Sequence, residues 1–173
     1  MKVILLDVDG VLNCCGTRER ICGLVGIEDR LVKRLARIVA FTGAEIWLIS
    51  SWKNSWVCHD ELGTYLDGKL AGYGLRIAGM IDYYDVDPEK RGYEVMLWLD
   101  DWSRDNWKGE DIESFVILDD EWFDYSDWSP LEGRVVKTEF YENDGGLKDL
   151  HVEQAVKILN VRWDKESIKG WGT

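Results

Sequence analysis

The sequence has few prolines and no apolar run long enough to cross a membrane. Only two of its 173 residues are proline and 46% are hydrophobic, a composition typical of a folded chain rather than a disordered one. The opening residues lack the longer apolar stretch and the cleavage site of a signal peptide. We therefore expect a cytoplasmic protein without membrane contact, with one domain over residues 1–160 and a C-terminal tail over residues 161–173.

Cysteine is also scarce, and its spacing matches no common metal site. The four cysteines are Cys14, Cys15, Cys22 and Cys58. Cys14 and Cys15 are sequence neighbours and are poorly placed to bridge each other, and the cysteines together with His59 do not have the spacing of a usual zinc site. We expect reduced thiols, as in a reducing compartment, and no zinc.

Positive charge is in the minority. Lys and Arg number 21 against 33 Asp and Glu, which gives a formal net charge of −12. Proteins that bind nucleic acid nonspecifically carry a basic face that displaces counterions from the phosphates. The most basic stretch, "RLVKRLAR", has instead the spacing of an amphipathic helix with a solvated outer face. We expect no strong nonspecific binding of nucleic acid, although a local basic patch remains compatible with this charge.

Strand and helix patterns alternate along the chain. Continuous apolar runs predict strands near residues 2–9, 44–50, 114–120 and 134–140. Helical spacing predicts helices over residues 29–41, near 55–66, from Pro88 onward, and over 147–160. This alternation favours an α/β fold, a Rossmann-like three-layer sandwich with a mainly parallel central sheet.

Three of the predicted strands end at polar side chains. These are Asp7 and Asp9, Ser50 and Ser51, and Asp119 and Asp120. The carboxyl ends of parallel strands meet at one edge of a sheet, which is also where ligands bind in this class of fold. Carboxylates gathered there repel one another unless a cation neutralises them, and oxygen ligands of this kind select Mg²⁺. The sequence therefore predicts a magnesium site that binds phosphoryl groups.

A basic pair could complete this site. In "EKRG", Lys90 or Arg91 could supply positive charge to the oxygens of a transferring phosphoryl group. Neighbours on a helix point about 100° apart, so only one of the two can face the site. The residues themselves leave the choice open.

Four stretches, in order, resemble the motifs of the haloacid dehalogenase (HAD) superfamily of phosphohydrolases. They are "DVDGVLN", which is similar to the Asp-x-Asp-Gly motif, then "WLISSW", "KRGYEV" and "VILDD". Their order, their position at strand ends and their spread over nearly the whole chain all agree with the pattern of that superfamily. The stretches "SFVILDD", "VVKTEF" and "GLKDLHVEQAVKIL" look most like the small HAD domains of RNA-repair modules.

The resemblance implies a role for each matching residue. Asp7 would be the nucleophile that forms an aspartyl-phosphate, Asp9 the general acid and then base, and Ser50 a ligand of the phosphoryl oxygens. Mg²⁺ would be held by Asp7, Asp9 (through its main-chain carbonyl), Asp119 and Asp120. In the third motif the superfamily's usual lysine favours Lys90, whereas relatives with an Arg-Gly-x-Glu-Ile pattern favour Arg91.

Members of this superfamily select their substrates by means of cap domains inserted between the motifs. Here the gaps between the motifs leave room for a minimal cap or none. We expect an open site, with Ser50 and Ser51 binding the substrate's phosphate at a helix start. Trp52 and Trp122 lie within two residues of predicted strand ends and could stack on a base or sugar ring. The alternative for both is packing under the neighbouring loops.

The function predicted from the sequence is a Mg²⁺-dependent phosphomonoester hydrolase. Its candidate substrates are phosphorylated small molecules, nucleotides and nucleic-acid ends, the last two suggested by the resemblance to RNA-repair domains. The alternative is a catalytically silent module that binds phosphate or a nucleotide.

Overall fold

The computed structural model of the protein describes residues 1–83, 86–105 and 111–168. The strands are β1 (Lys2–Leu6), β2 (Arg20–Ile21), β3 (Leu24–Val25), β4 (Glu45–Leu48), β5 (Ile77–Met80), β6 (Ser114–Asp119) and β7 (Val135–Lys137). The helices are α1 (Asp29–Thr42), α2 (Lys53–Cys58), α3 (Glu61–Ala71), α4 (Arg91–Asp105) and α5 (Asp149–Leu159). Three short 3-10 helices follow β6 and α5.

The core is a five-stranded parallel sheet in the order β5-β4-β1-β6-β7. β1 lies in the centre, and its apolar run is buried because helices cover both faces of the sheet. Val3 and Leu5 point into one core and Ile4 and Leu6 into the other, as the two-residue period of a strand requires. The predicted Rossmann-like three-layer α/β sandwich is confirmed.

The two cores differ in what covers them. On one face α1, α3 and α5 pack over the sheet, and α1 buries the stripe of Leu31, Val32, Leu35 and Ile38 that its spacing predicts. On the other face the covering helix is α4, which carries a cluster of tryptophans. Trp163 and Ile168 from the predicted tail are also buried in this second core, and residues 169–173 of that tail lie outside the described residues.

Three local predictions were wrong. The helix predicted near residues 55–66 is two helices, because His59 adopts a left-handed conformation (φ +50°) and the Asp60 carboxylate accepts a hydrogen bond from the Gly63 N–H to start α3. The helix predicted from Pro88 begins at Arg91, after a turn in which the Lys90 N–H donates to the Asp87 carbonyl at 2.7 Å.

The third error concerns strands that the apolar pattern did not reveal. β5 is only four residues long and half-buried at each, so no apolar run marks it. Strands β2 and β3 have two residues each and form an antiparallel hairpin between β1 and α1. Such short strands are held by their neighbours rather than by their own sequence.

No separate cap domain is present in the described residues. The connection from β1 to α1 contains only the β2–β3 hairpin, and the connection from β4 to α4 contains α2, α3 and β5. None of the helices in the described part of the chain has the length and apolar content needed to span a bilayer.

Candidate active site

Three carboxylates meet at the carboxyl ends of β1 and β6. Leu6 is paired with Leu48 on one side and Leu118 on the other, and the next residue, Asp7, donates its N–H to the Leu118 carbonyl at 2.9 Å. Asp7, Asp119 and Asp120 each offer an oxygen, and these oxygens all lie within 4.8 Å of one another. Asp7 and Asp119 are buried and Asp120 is half-buried.

Gly10 makes this close approach possible. Its backbone is left-handed (φ +72°), and a Cβ built there would lie 2.2 Å from the Cγ atom of Asp120. A side chain at this position would therefore exclude the Asp120 carboxylate from the cluster. The glycine of "DVDG" and the second aspartate of "VILDD" fit together as one unit.

Arg91 lies between the two buried carboxylates. Its Nη1 donates to Asp7 Oδ1 at 3.1 Å and to Asp119 Oδ2 at 2.7 Å. Its guanidinium carbon lies 4.3 Å from the centre of the Phe123 ring, in cation–π range. Lys90 is exposed to solvent. Of the two candidates in the basic pair, it is Arg91 that contacts the aspartates.

These contacts shift the ionisation of the cluster. Burial raises the pKa of Asp7 to about 7; Arg91 acts in the opposite direction, and repulsion from Asp119 and Asp120 adds to the rise. Burial and repulsion from Asp119 raise the pKa of Asp120 to about 6. Burial alone would lower the pKa of Arg91, but attraction to Asp7 and Asp119 outweighs it and raises that pKa above its usual range. The guanidinium is therefore a permanent positive charge at the site.

Asp119 is held by three hydrogen bonds. Its Oδ2 accepts from Arg91 and, at 2.8 Å, from the Tyr125 hydroxyl, while its Oδ1 accepts from the Glu121 N–H at 2.9 Å. Each carboxylate oxygen has two lone pairs, so Oδ1 keeps one for another partner. Together with Asp7 and Asp120, it forms an all-oxygen donor set that fits a hard divalent cation.

The stretch "RGYEV" is anchored at four residues, Arg91 to Glu94. Arg91 contacts the aspartates as above. Gly92 and Tyr93 donate their N–H groups to the Asp124 carboxylate at 2.6 and 3.2 Å, so Asp124, from the loop after β6, caps the start of α4. Glu94 accepts a hydrogen bond from Lys53 Nζ at 2.6 Å, which ties α4 to α2. These contacts fix the helix that carries Arg91.

Asp9 is held by two donors that lie below the cavity surface. The Asn13 side-chain amide donates to its Oδ1 at 2.8 Å, and the Trp52 indole N–H donates to its Oδ2 at 2.9 Å. Asn13 is fully buried and Trp52 is 2% exposed. Of the two alternatives for Trp52, stacking on a substrate at the rim or packing under the loops, the structure shows the second, because its ring is packed in the core.

The remaining predicted substrate contacts lie at different depths. Ser50 is 1% exposed, and its hydroxyl accepts a hydrogen bond from the Trp52 N–H at 3.4 Å. Ser51 is exposed and lines the cavity described below. Trp122 is 59% exposed and lines a different cavity, beside Trp128.

A cavity of about 410 Å³ opens beside the carboxylates. Its lining contains four carboxylates and three aromatic rings, those of Asp7, Asp9, Asp120 and Glu121 and of Phe123, Phe140 and Tyr141. Tyr141 is 84% exposed, so it lies at the mouth. Among the described residues that line the cavity, Arg91 supplies the positive charge.

The sequence model of one family matches residues 3–152, and that family is described as the HAD domain in Swiss Army Knife RNA repair proteins. The matched range covers β1 through the first residues of α5, and so includes every residue of the carboxylate cluster. The chain belongs to this family. No curated protein and no solved structure matched the chain.

Sequence reasoning missed several contacts of this HAD domain. Asn13, Asp124 and Tyr125 hold the carboxylates and α4, and Phe140 and Tyr141 line the cavity. Asn13 ends the quoted stretch "DVDGVLN", four residues after Asp9, so its nearness was a usable signal. Asp124 and Tyr141 lie in irregular backbone and Tyr125 begins a short 3-10 helix, where no periodic pattern indicates the direction of a side chain. Phe140 lies at the end of the stretch predicted as a strand over residues 134–140, but β7 ends at Lys137, so the strand period does not apply to it.

Gly92→Ala is expected to lower the free energy of unfolding by about 1–3 kcal/mol. A Cβ at this position would lie 2.8 Å from Trp128 Cδ1 and 2.9 Å from the Asp124 carboxylate, so the cap of α4 must shift. Gly68→Ala is the matched control, since it lies in α3 with nothing within 4 Å of an added Cβ, and we expect a gain of about 0.5–1 kcal/mol. Urea unfolding measures both, and a stabilised Gly92→Ala variant would contradict the packing described here.

A second prediction concerns pH. The pKa of Asp7 is about 7 in the folded protein against an ordinary value of 3.8, so between about pH 4 and 7 the folded state holds a proton that the unfolded chain releases. The folded state then binds more protons, and the Asp7 contribution to the free energy of unfolding falls as the pH rises. As the pH rises through this window, the free energy of unfolding of the wild-type protein should fall by on the order of a few kcal/mol relative to that of Asp7→Asn.

Urea unfolding of both proteins in EDTA at pH 4, 5, 6, 7 and 8 measures this difference. Glu153→Gln, at an exposed position on α5, is the control and should keep the wild-type pH profile. A difference in the free energy of unfolding between Asp7→Asn and wild type that is the same at every pH would contradict the raised pKa of Asp7.

Proposed function

We propose that this HAD domain is a Mg²⁺-dependent phosphomonoester hydrolase that acts through an aspartyl-phosphate at Asp7. The observation that carries the proposal is the cluster of Asp7, Asp119 and Asp120, whose oxygens lie within 4.8 Å, with Arg91 donating to two of these carboxylates. Such an arrangement of hard anionic ligands and one fixed cation suits a phosphoryl group and a divalent metal. Membership of the family supports the same chemistry.

The residues that would hold Mg²⁺ are Asp7, Asp119 and Asp120, with the main-chain carbonyl of Asp9. When bound, the ion supplies positive charge that neutralises the carboxylates and polarises the phosphoryl oxygens. The donor set is all oxygen, which fits Mg²⁺ better than a softer metal. The raised pKa of Asp7 is consistent with a site whose carboxylates await a neutralising partner.

In the first step an oxygen of the Asp7 carboxylate attacks the phosphorus of the ester. A P–O bond to Asp7 forms as the bond between phosphorus and the ester oxygen breaks. The ester oxygen keeps the electron pair and takes a proton from Asp9, so the leaving group departs as an alcohol. Asp9 borders the same cavity as Asp7, which is why we assign this proton transfer to it.

In the second step a water molecule gives a proton to Asp9 while its oxygen attacks the phosphorus of the aspartyl-phosphate. The P–O bond to Asp7 breaks, which frees inorganic phosphate and restores both carboxyl groups. Arg91 supplies positive charge to the phosphoryl oxygens in both steps and keeps Asp7 oriented. Ser51 borders the same cavity, and we assign phosphate binding to it together with the N–H groups around Ser50.

For the substrate we propose a nucleotide or the end phosphate of an RNA strand. The rings of Phe140 and Tyr141, which line the cavity, could stack on a base. The family description, which refers to RNA repair proteins, favours RNA. A net charge of −12 argues against tight binding along a strand, so recognition would be confined to the terminal nucleotide.

The deciding experiment is a panel of phosphomonoesters that includes alkyl and aryl phosphates, mononucleotides and RNA with a terminal phosphate. Each is assayed in Mg²⁺ and in EDTA. We expect turnover in Mg²⁺, none in EDTA, and a loss of at least ~10³-fold in Asp7→Asn. Asp127→Asn, at an exposed position in the loop after β6, should keep wild-type activity.

Turnover that survives Asp7→Asn would refute the nucleophile assignment. If no ester is hydrolysed, the alternative of a silent module that binds phosphate or a nucleotide is favoured. Equilibrium binding of the same esters then tests that module.

Single substitutions in the basic pair give a separate prediction. Arg91→Ala should lower kcat/KM by about 10²–10³-fold, since it removes the charged donor beside the nucleophile. Lys90→Ala should stay within about 3-fold of wild type, because its side chain is exposed. A larger loss in Lys90→Ala than in Arg91→Ala would contradict the role given to Arg91.

A further inference from the structure

Asp9 is tied to a tryptophan that belongs to another strand's loop. Trp52 follows β4 and Asp9 follows β1, and the indole Nε1–H donates to Asp9 Oδ2 at 2.9 Å. The Trp52 ring is 2% exposed and packs with the core on the α1, α3 and α5 side of the sheet. Its position is therefore set by core packing, and the N–H it presents to Asp9 is fixed with it.

A second donor completes the clamp. The Asn13 amide nitrogen donates to Asp9 Oδ1 at 2.8 Å and to the Val25 carbonyl at 3.2 Å, and its oxygen accepts from the Gly10 N–H at 2.9 Å. Each oxygen of Asp9 thus accepts one fixed N–H group and retains a second lone pair. The carboxyl group cannot rotate without losing one of these bonds, while the remaining lone pairs are available for a proton.

We propose that Trp52 is a positioning residue that holds Asp9 in line with the leaving-group oxygen of the substrate. This inference rests on the proposed function, in which Asp9 protonates that oxygen. A general acid contributes about 10²–10⁴-fold when it is correctly placed, and a displacement of about 1 Å can cost about 10²-fold. The indole N–H and the Asn13 amide both join the proton donor to the buried interior, and the indole is the donor that α2's side of the sheet supplies.

The consequence depends on the leaving group. An alkoxide is a poor leaving group and needs the proton from Asp9, whereas a nitrophenolate departs as a stable anion without it. Misplacing Asp9 should therefore slow the release of an alcohol far more than the release of nitrophenol. A general loss of structure, or a loss of phosphate binding, would slow both reactions alike.

The test compares kcat/KM for an alkyl phosphate and for p-nitrophenyl phosphate, because this parameter covers the steps up to departure of the leaving group. The variant is Trp52→Phe, which keeps an aromatic ring and removes the N–H. Trp56→Phe is the matched control, since its Nε1–H donates to Asp67 Oδ1 at 3.0 Å in an equivalent Trp–Asp pair away from the cavity.

In Trp52→Phe we expect kcat/KM to fall by about 30–100-fold on the alkyl ester and by no more than about 3-fold on the nitrophenyl ester. Trp56→Phe should change neither value by more than about 2-fold. Equal losses on both esters, or no loss on either, would overturn the positioning role. A wild-type protein inactive on both esters would contradict the proposed function itself, and the positioning role with it.

A second measurement does not use a Trp52 variant, so it tests the inference even if Trp52→Phe fails to fold. In the ¹H–¹⁵N spectrum, the indole signal of Trp52 should move upfield in Asp9→Asn, because an amide oxygen accepts a weaker hydrogen bond than a carboxylate. The signal of Trp56 should stay in place, and it should move in Asp67→Asn instead. A Trp52 signal that does not respond to Asp9→Asn would overturn the inference.

Discussion

The arrangement of the whole site depends on the contact of one guanidinium with two buried aspartates. The parallel pairing of β1 and β6 forces Asp7 and Asp119 together, and their repulsion would destabilise the sheet edge without a fixed positive charge. Arg91 supplies that charge at 3.1 and 2.7 Å. Removing the guanidinium would leave the two buried carboxylates without their positive partner. The stability of the ends of β1 and β6 therefore depends on the position of α4.

The supporting contacts keep Arg91 and the acidic loops in register. Asp124 caps the start of α4 from the loop after β6, and Lys53 in α2 binds Glu94 one turn further along α4. Lys53 Nζ also lies 3.3 Å from Asp82 Oδ1, so one half-buried ammonium links three segments. The loops that carry the acidic residues are thereby fixed to rigid helices, as a site that must hold its geometry requires.

Two glycines of the motifs leave the space that neighbouring aspartates occupy. Gly10 leaves space for Asp120, and Gly92 leaves space for Asp124. Both spaces would be filled by a single methyl group. The cavity beside them is lined by carboxylates and aromatic rings together with the guanidinium of Arg91. This lining is the basis on which we proposed a terminal phosphate attached to a ring, rather than a continuous polyanion, as the substrate.

Much of this protein could be predicted from its sequence. The apolar runs of β1, β4 and β6 and the stripe of α1 indicated the fold, because burial imposes a period that the residues themselves display. The carboxylates at the strand ends followed from the parallel sheet alone. Short elements failed this reasoning: β5 and the β2–β3 hairpin have too few residues for a period, and the break at His59 depends on one backbone conformation.

Tertiary structure alone decided between residues whose chemistry is the same. Lys90 and Arg91 are both basic, and α4 had to begin at Arg91, with Asp124 at its start, for the guanidinium to face Asp7. Trp52 and Trp122 both follow strand ends, and only the packing of the core buries one against Asp9 and exposes the other. The sequence by itself determined which groups gather at the sheet edge, because buried strands show as apolar runs and the carboxyl ends of parallel strands lie at one edge. Which of them are in contact was decided by the geometry of the loops and of the start of α4, and the sequence shows no periodic pattern that predicts this geometry.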